Sequence, residues 1–111
     1  MLKPGRYDLL IYSQHSGQSP FDEWISDLDP GIRQRILGRV ARLKKGQFGD
    51  YKKINPQLYE LRLFFGPGYR VYFGERHGTI LVILTGGDKS SQNRDIKRAK
   101  EYWRSYLEEN P

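Results

Sequence analysis

Cysteine is absent from the 111 residues, which excludes disulfides, thiolate zinc sites and a cysteine nucleophile. Histidine occurs twice, as His15 and His77, with no neighbouring ligand pattern, so no metal site is expected. Asp22, Glu23, Asp27 and Asp29 fall near helix starts, where they complement the dipole, and they lack the spacing of a metal cluster. No apolar run approaches the length of a membrane span, and Met1 to Gly5 leads into no signal-peptide core. A nucleotide-binding loop is missing too: Gly86-Gly87-Asp88-Lys89-Ser90 does not carry the G-x-x-x-x-G-K spacing. The expectation is a cytoplasmic domain without metal or cofactor.

What the chain does have is positive charge and aromatic bulk. Its formal charge is +6, with 37% hydrophobic and 14% aromatic residues, enough for one domain, residues 1–111, around one modest core. The charge is local. From Gly31 to Pro56 stand eight basic residues, Arg33, Arg35, Arg39, Arg42, Lys44, Lys45, Lys52 and Lys53, against the single acid Asp50. Such a density points to a polyanionic partner.

Periodicity orders the elements. Tyr7 to Tyr12 is a short apolar run that predicts a strand. Ser19 caps a helix with Pro20 at its first position, and Phe21, Trp24, Ile25 and Leu28 share a face. Asp29-Pro30 opens a second helix with Ile32, Ile36, Leu37, Val40 and Leu43 inward and Arg35, Arg39 and Arg42 on another face; Gly46 ends it. Gln47 to Gln57 is expected to be a loop holding Lys52 and Lys53. Strands follow at Leu58 to Phe65, Tyr69 to Gly74 and Thr79 to Thr85, with connections short enough to force antiparallel neighbours. A last helix, from about Ser91 to Leu107, turns Ile96, Ala99, Trp103, Tyr106 and Leu107 inward.

Two features point to an anion. A hairpin turn centred near Pro67 sets Arg62 and Arg70 opposite each other, where like charges cost up to about 1 kcal/mol unless something negative lies between them. Gly86-Gly87-Asp88-Lys89 then reads as a glycine turn with a lysine at a helix start, where free N–H groups favour phosphate. Taken singly, such arginines are as readily solvated or paired with carboxylates, and such a lysine solvated beside a cap.

The runs Leu58-Tyr59-Glu60-Leu61-Arg62, Gly66-Pro67-Gly68-Tyr69-Arg70-Val71-Tyr72-Phe73 and Gly86-Gly87-Asp88-Lys89-Ser90-Ser91-Gln92, followed by Asp95-Ile96 and Ala99-Lys100-Glu101-Tyr102-Trp103, resemble the addiction-module killer proteins. These are phage-derived Gp49-like or HigB-like members of the RelE/ParE toxin superfamily. The resemblance covers nearly the whole chain. It implies an α+β fold, β-α-α-β-β-β-α, with a twisted antiparallel sheet packed on helices. It also implies a toxin of a type II toxin-antitoxin pair, with a cognate antitoxin that is often a helix-turn-helix protein. Many such toxins cleave mRNA in the ribosomal A site, which makes the ribosome and mRNA the expected partners.

By the same resemblance Arg62, Arg70 and Lys89 occupy the places of the basic residues around the scissile phosphate. Arg70 would meet the phosphorane charge, Arg62 would hold the phosphate, and Lys89 would bind the backbone or donate a proton. Arg35, Arg39, Arg42, Lys44, Lys45, Lys52, Lys53 and Arg94 would contact RNA. Arginine stays protonated and cannot serve readily as the base; Asp88, Asp95 and Glu60, which shares a strand face with Arg62, are the acceptors within the motifs. Several RNase members carry a tyrosine or histidine where this chain reads Gln92-Asn93-Arg94-Asp95. The departure keeps two alternatives open, a gyrase inhibitor of the ParE type and an antitoxin-binding module without catalysis.

Overall fold

A computed structural model describes residues 2–111. The elements run β1 (Asp8–Ile11), α1 (Pro20–Ser26), α2 (Pro30–Arg42), β2 (Tyr51–Asn55), β3 (Leu58–Leu63), β4 (Tyr69–Arg76), β5 (Ile80–Gly87) and α3 (Gln92–Glu109). Short 3-10 turns at Leu43–Lys45 and Lys89–Ser91 extend α2 and precede α3. The fold is α+β, and its order β-α-α-β-β-β-β-α has one strand more than the expected β-α-α-β-β-β-α.

The sheet departs from expectation in two ways. It has five strands in the order β1-β5-β4-β3-β2, and β1 runs parallel to β5, so it is mixed rather than antiparallel. From β2 to β5 each strand pairs antiparallel with the next. That meander places β2 at one edge, and the crossover through α1 and α2 leaves β1 to close the other beside β5.

The extra strand β2 lies where a loop was expected, over the Lys52 and Lys53 segment. Two adjacent lysines hide the alternation that marks a strand, because an edge strand has little to bury. Asn55 makes the connection possible: its Oδ1 accepts from the backbone N–H of Gln57 and of Leu58, at 3.1 and 3.0 Å. A side-chain oxygen thus closes a turn of two residues.

Both sheet faces are covered. Tyr59, Leu61, Leu63, Val71, Phe73, Leu81 and Ile83 pack with Phe21 and Ile25 of α1 and Ile36 and Val40 of α2. On the opposite face Leu58, Tyr72, Val82 and Leu84 meet Ala99 and Trp103 of α3, with Ile96, Tyr106 and Leu107 at the rim. Strand alternation sends the two sets apart. The caps act as read for α1, whose Asp22 N–H donates to Ser19 Oγ at 3.2 Å. At α2 the Asp29 side chain makes no such bond, and Leu37 is exposed rather than inward.

Trp103 lies flat against β4 at Gly74, where a Cβ would run into its six-membered ring. The indole also donates from Nε1 to Gln57 Oε1 at 3.2 Å, which fixes its plane. Gly74→Ala is therefore expected to cost about 1–3 kcal/mol through overpacking. A fall in the urea midpoint with unchanged slope would register this; an unchanged midpoint would mean that α3 shifts freely on the sheet.

Candidate functional site

The register of β3 and β4 sets Arg62 opposite Arg70 and Glu60 opposite Tyr72. Alternation turns all four side chains toward the face that α3 covers. The negative group that the arginine pair requires is supplied from within. Glu60 Oε1 accepts from Arg62 Nε at 3.0 Å, and Oε2 accepts from Tyr72 OH at 3.1 Å and from Gln92 Nε2 at 2.9 Å. Arg70 Nε lies 3.7 Å from the same oxygen, an ion pair beyond hydrogen-bond reach, and is otherwise buried without an acceptor. Its NH1 donates to Gly68 O at 2.7 Å.

This network fixes the electrostatics. Burial alone would raise the Glu60 pKa, but the hydrogen bonds from Gln92, Arg62 and Tyr72 outweigh it and hold the carboxyl below its ordinary range. Burial and the adjacent Glu60 charge push the Tyr72 hydroxyl far up, so it stays protonated and donates to Glu60. One carboxylate between two guanidiniums leaves one positive charge uncompensated. The Arg62 side chain is 28% exposed and that of Arg70 10%, so Arg62 is the more accessible of the two guanidiniums.

Lys89 joins this group through the hairpin turn. Gly68 adopts φ +79°, and a Cβ built there would lie 3.1 Å from Arg70 NH1 and 3.5 Å from Lys89 Cβ. The Lys89 N–H points at Pro67 O, 3.4 Å away. Lys89 therefore stands beside the hairpin turn on the Arg70 side, with its side chain exposed. Arg94 stands near Lys89 on the first turn of α3, its Nε 4.0 Å from Asp95 Oδ1.

The glycine turn, however, is not a turn. Gly86 and Gly87 are extended residues at the end of β5. They are glycine because of their neighbours: a Cβ on Gly86 would strike the Trp24 ring, and one on Gly87 would strike the Asp95 carboxylate. The α3 start is not vacant either. Asp88 Oδ1 accepts from Ser90 N at 2.8 Å and from Ser90 Oγ at 2.5 Å, and Ser91 Oγ bonds Asp95 Oδ2. The hydrogen bonds from Ser90 hold the Asp88 carboxyl below its usual range. The chain's own acids thus occupy the place expected for phosphate.

The remaining basic residues divide. Arg35, Arg39 and Arg42 line a groove of about 790 Å³ between α2 and the end of β3, together with Arg62, Phe64 and Phe65. Arg39 is anchored there, donating to Phe48 O at 3.3 Å and to Arg62 O at 3.4 Å. The Arg35 guanidinium carbon stacks 3.7 Å above the Phe65 ring. Lys44 and Lys45 lie elsewhere, in the 3-10 turn beside β1, and Lys52 and Lys53 lie on the opposite edge strand. The basic run of the sequence is therefore not one surface.

Sequence reasoning named Glu60 only as a proton acceptor and missed Tyr72 and Gln92. Tyr72 had a signal, since it stands two residues from Arg70 on the same strand face. Gln92 had none, because its contact spans 32 positions. Among the described residues no group of three or more His, Asp or Glu side chains is gathered as for a metal ion. No helix among them is long and apolar enough to cross a membrane.

A sequence model of the family described as Phage derived protein Gp49-like (DUF891) matches residues 23–104. An uncharacterized protein of Haemophilus influenzae is similar to the chain, 46% identical over 81 residues, which cover 72% of this chain and 82% of that protein. The matched region starts in α1 and ends in α3, taking in the arginine pair, Glu60, Lys89 and Gln92. On these grounds the chain belongs to the phage-derived Gp49-like family, which is of the RelE/ParE toxin type.

Proposed function

We propose that the protein is the toxin of a type II toxin-antitoxin pair and cleaves mRNA on the ribosome, in the cytoplasm, until a cognate antitoxin covers it. One observation carries this reading: two arginines face each other across β3 and β4 and share one buried carboxylate, with Lys89 beside the hairpin turn that Arg70 bonds. In the reaction a ribose 2′-oxygen attacks the adjacent phosphorus, its proton leaves to a base, and the 5′-oxygen departs with a proton. Arg62 holds the phosphate, Arg70 stabilises the added phosphorane charge, and Lys89 binds the backbone or protonates the leaving oxygen. Arg35, Arg39, Arg42 and Arg94 carry neighbouring RNA, with Lys44, Lys45, Lys52 and Lys53 as outlying contacts. A helix-turn-helix antitoxin with carboxylates for this basic surface is the fitting partner.

A specific observation favours a second reading. Glu60, Asp88 and Asp95, the acids within the sequence motifs, all accept hydrogen bonds already, so none of these three is an idle general base. In the nuclease reading the ribosome positions and activates the 2′-hydroxyl. In the alternative the same surface binds a protein target, as in a gyrase inhibitor of the ParE type, or only an antitoxin. Induced expression in a bacterial host lacking the antitoxin, with growth and mRNA 5′ ends followed in the same cultures, separates them. The expected result is arrest with new 5′ ends inside translated codons. Arrest with intact mRNA and a DNA-damage response would establish the gyrase reading, and unimpaired growth the binding module.

A further inference from the structure

We infer that the groove between α2 and the end of β3 is a track for single-stranded RNA, with the Phe64 ring as a platform on which one unpaired base stacks. The inference rests on the nuclease reading above and adds the path of the RNA beyond the reacting phosphate. Phe64 is 77% exposed, the most exposed of the large apolar side chains among the described residues, and it lines the groove together with Arg35, Arg39 and Arg42. An aromatic ring left in water costs burial that any core would have given, and here it stands among guanidiniums. Its neighbour Phe65 does not share that freedom, since Arg35 covers one face and Tyr69 packs 5.3 Å away.

Continuity with the phosphate site makes RNA the occupant. Arg62 joins the two places across the end of the sheet: its Nε holds Glu60 on the α3 face, and its backbone carbonyl accepts from Arg39 NH2 in the groove on the α2 face. A strand whose phosphate rests on Arg62 and Arg70 on the α3 face therefore turns around the end of β3, at Phe64, to reach Arg35 and Arg42 on the α2 face. Basic side chains along a groove with an aromatic face between them is the arrangement that holds a backbone and an unstacked base together. A duplex offers no free base face, so the track takes a single strand. An acidic protein segment would use the arginines but has no need of an open ring face.

The probe is a fluorescent 2′-O-methyl oligouridylate of about eight nucleotides, which cannot be cut, with a duplex of equal length as comparison. Phe64→Leu is expected to weaken its binding by about tenfold, and Phe64→Trp to preserve it, because stacking needs a ring and not mere apolar bulk. Arg42→Ala is expected to lower the slope of log affinity against log salt by about 0.7, one phosphate contact. Thermal unfolding of the Phe64 variants should match wild type, since the ring packs on little. Leucine binding like phenylalanine, or tryptophan weakened as much as leucine, would overturn the stacking platform. Unchanged RNA affinity with lost antitoxin neutralisation would overturn it in favour of a protein-docking site. Wild type that cuts mRNA on induction while Phe64→Leu binds normally sinks this inference alone; Phe64-dependent binding without any cleavage sinks the nuclease reading alone.

Discussion

Glu60→Ala is expected to destabilise the protein by about 3–5 kcal/mol, the cost of removing one partner from a buried ion network. The side chain is 1% exposed and its two oxygens serve Arg62, Tyr72 and Gln92, with Arg70 close by. Alanine leaves two opposed guanidiniums with nothing between them and a buried hydroxyl without an acceptor. Glu60→Gln should lose less, since one amide oxygen can still accept while the charge is gone. The acid limb tells the two terms apart. A carboxyl held below its ordinary value near 4.5 contributes stability that is complete above that pH and is lost as pH falls through the depressed value. Wild type should therefore weaken below about pH 4.5, and Glu60→Gln should show a shallower decline, with Asp88 supplying what remains. Urea unfolding of the three proteins from pH 7 to pH 3 measures this. Equal acid slopes in wild type and Glu60→Gln would show that the carboxylate is not what holds the arginines.

The arginine pair is also where the sequence was most readable. A Gly-Pro-Gly turn leaves little choice of register, so Arg62 opposite Arg70 follows from counting outward, and the pairing is as expected. The need for a counter-charge was legible as well; its source was not, because a glutamate two residues away on a strand shares a face without a stated distance. Gln92 completes the network only when α3 folds over the sheet, and nothing local marks that. The glycines misled for a physical reason. Glycine permits a turn and equally permits close packing, and only the positions of Trp24 and Asp95 show which applies. Likewise β2 was read as a loop because its lysines face water from an edge, and β1 was expected in an antiparallel sheet, since its parallel pairing with β5 depends on the whole crossover and nothing local marks it. The hydrophobic cores, set by alternation in β3 to β5 and by helical spacing in α3, needed no such context.

Arg70→Ala is expected to reduce mRNA cleavage by about 10²–10³-fold, the usual loss when one donor to a developing oxyanion is removed. The guanidinium is buried, tied to Gly68 O and aligned beside Glu60, so it is held before any substrate arrives. Preorganisation of that kind is what makes a charge effective in a reaction without cost at the moment of transfer. Arg70→Lys should recover only part of the rate. A point charge on a flexible stem cannot bond Gly68 O and a phosphate oxygen together as a planar fork does. Stability should respond differently from activity. Removing Arg70 leaves Glu60 still paired with Arg62, Tyr72 and Gln92, whereas removing Glu60 strands every cation in the network. On the proposed reading the carboxylate is thus the structural member and the arginine the chemical one. Single-turnover cleavage of ribosome-bound mRNA, read beside urea unfolding for the same variants, checks the division. A folded Arg70→Ala protein that still cuts at the wild-type rate would end the role of Arg70; one that arrests growth with mRNA intact would move the activity to a protein target.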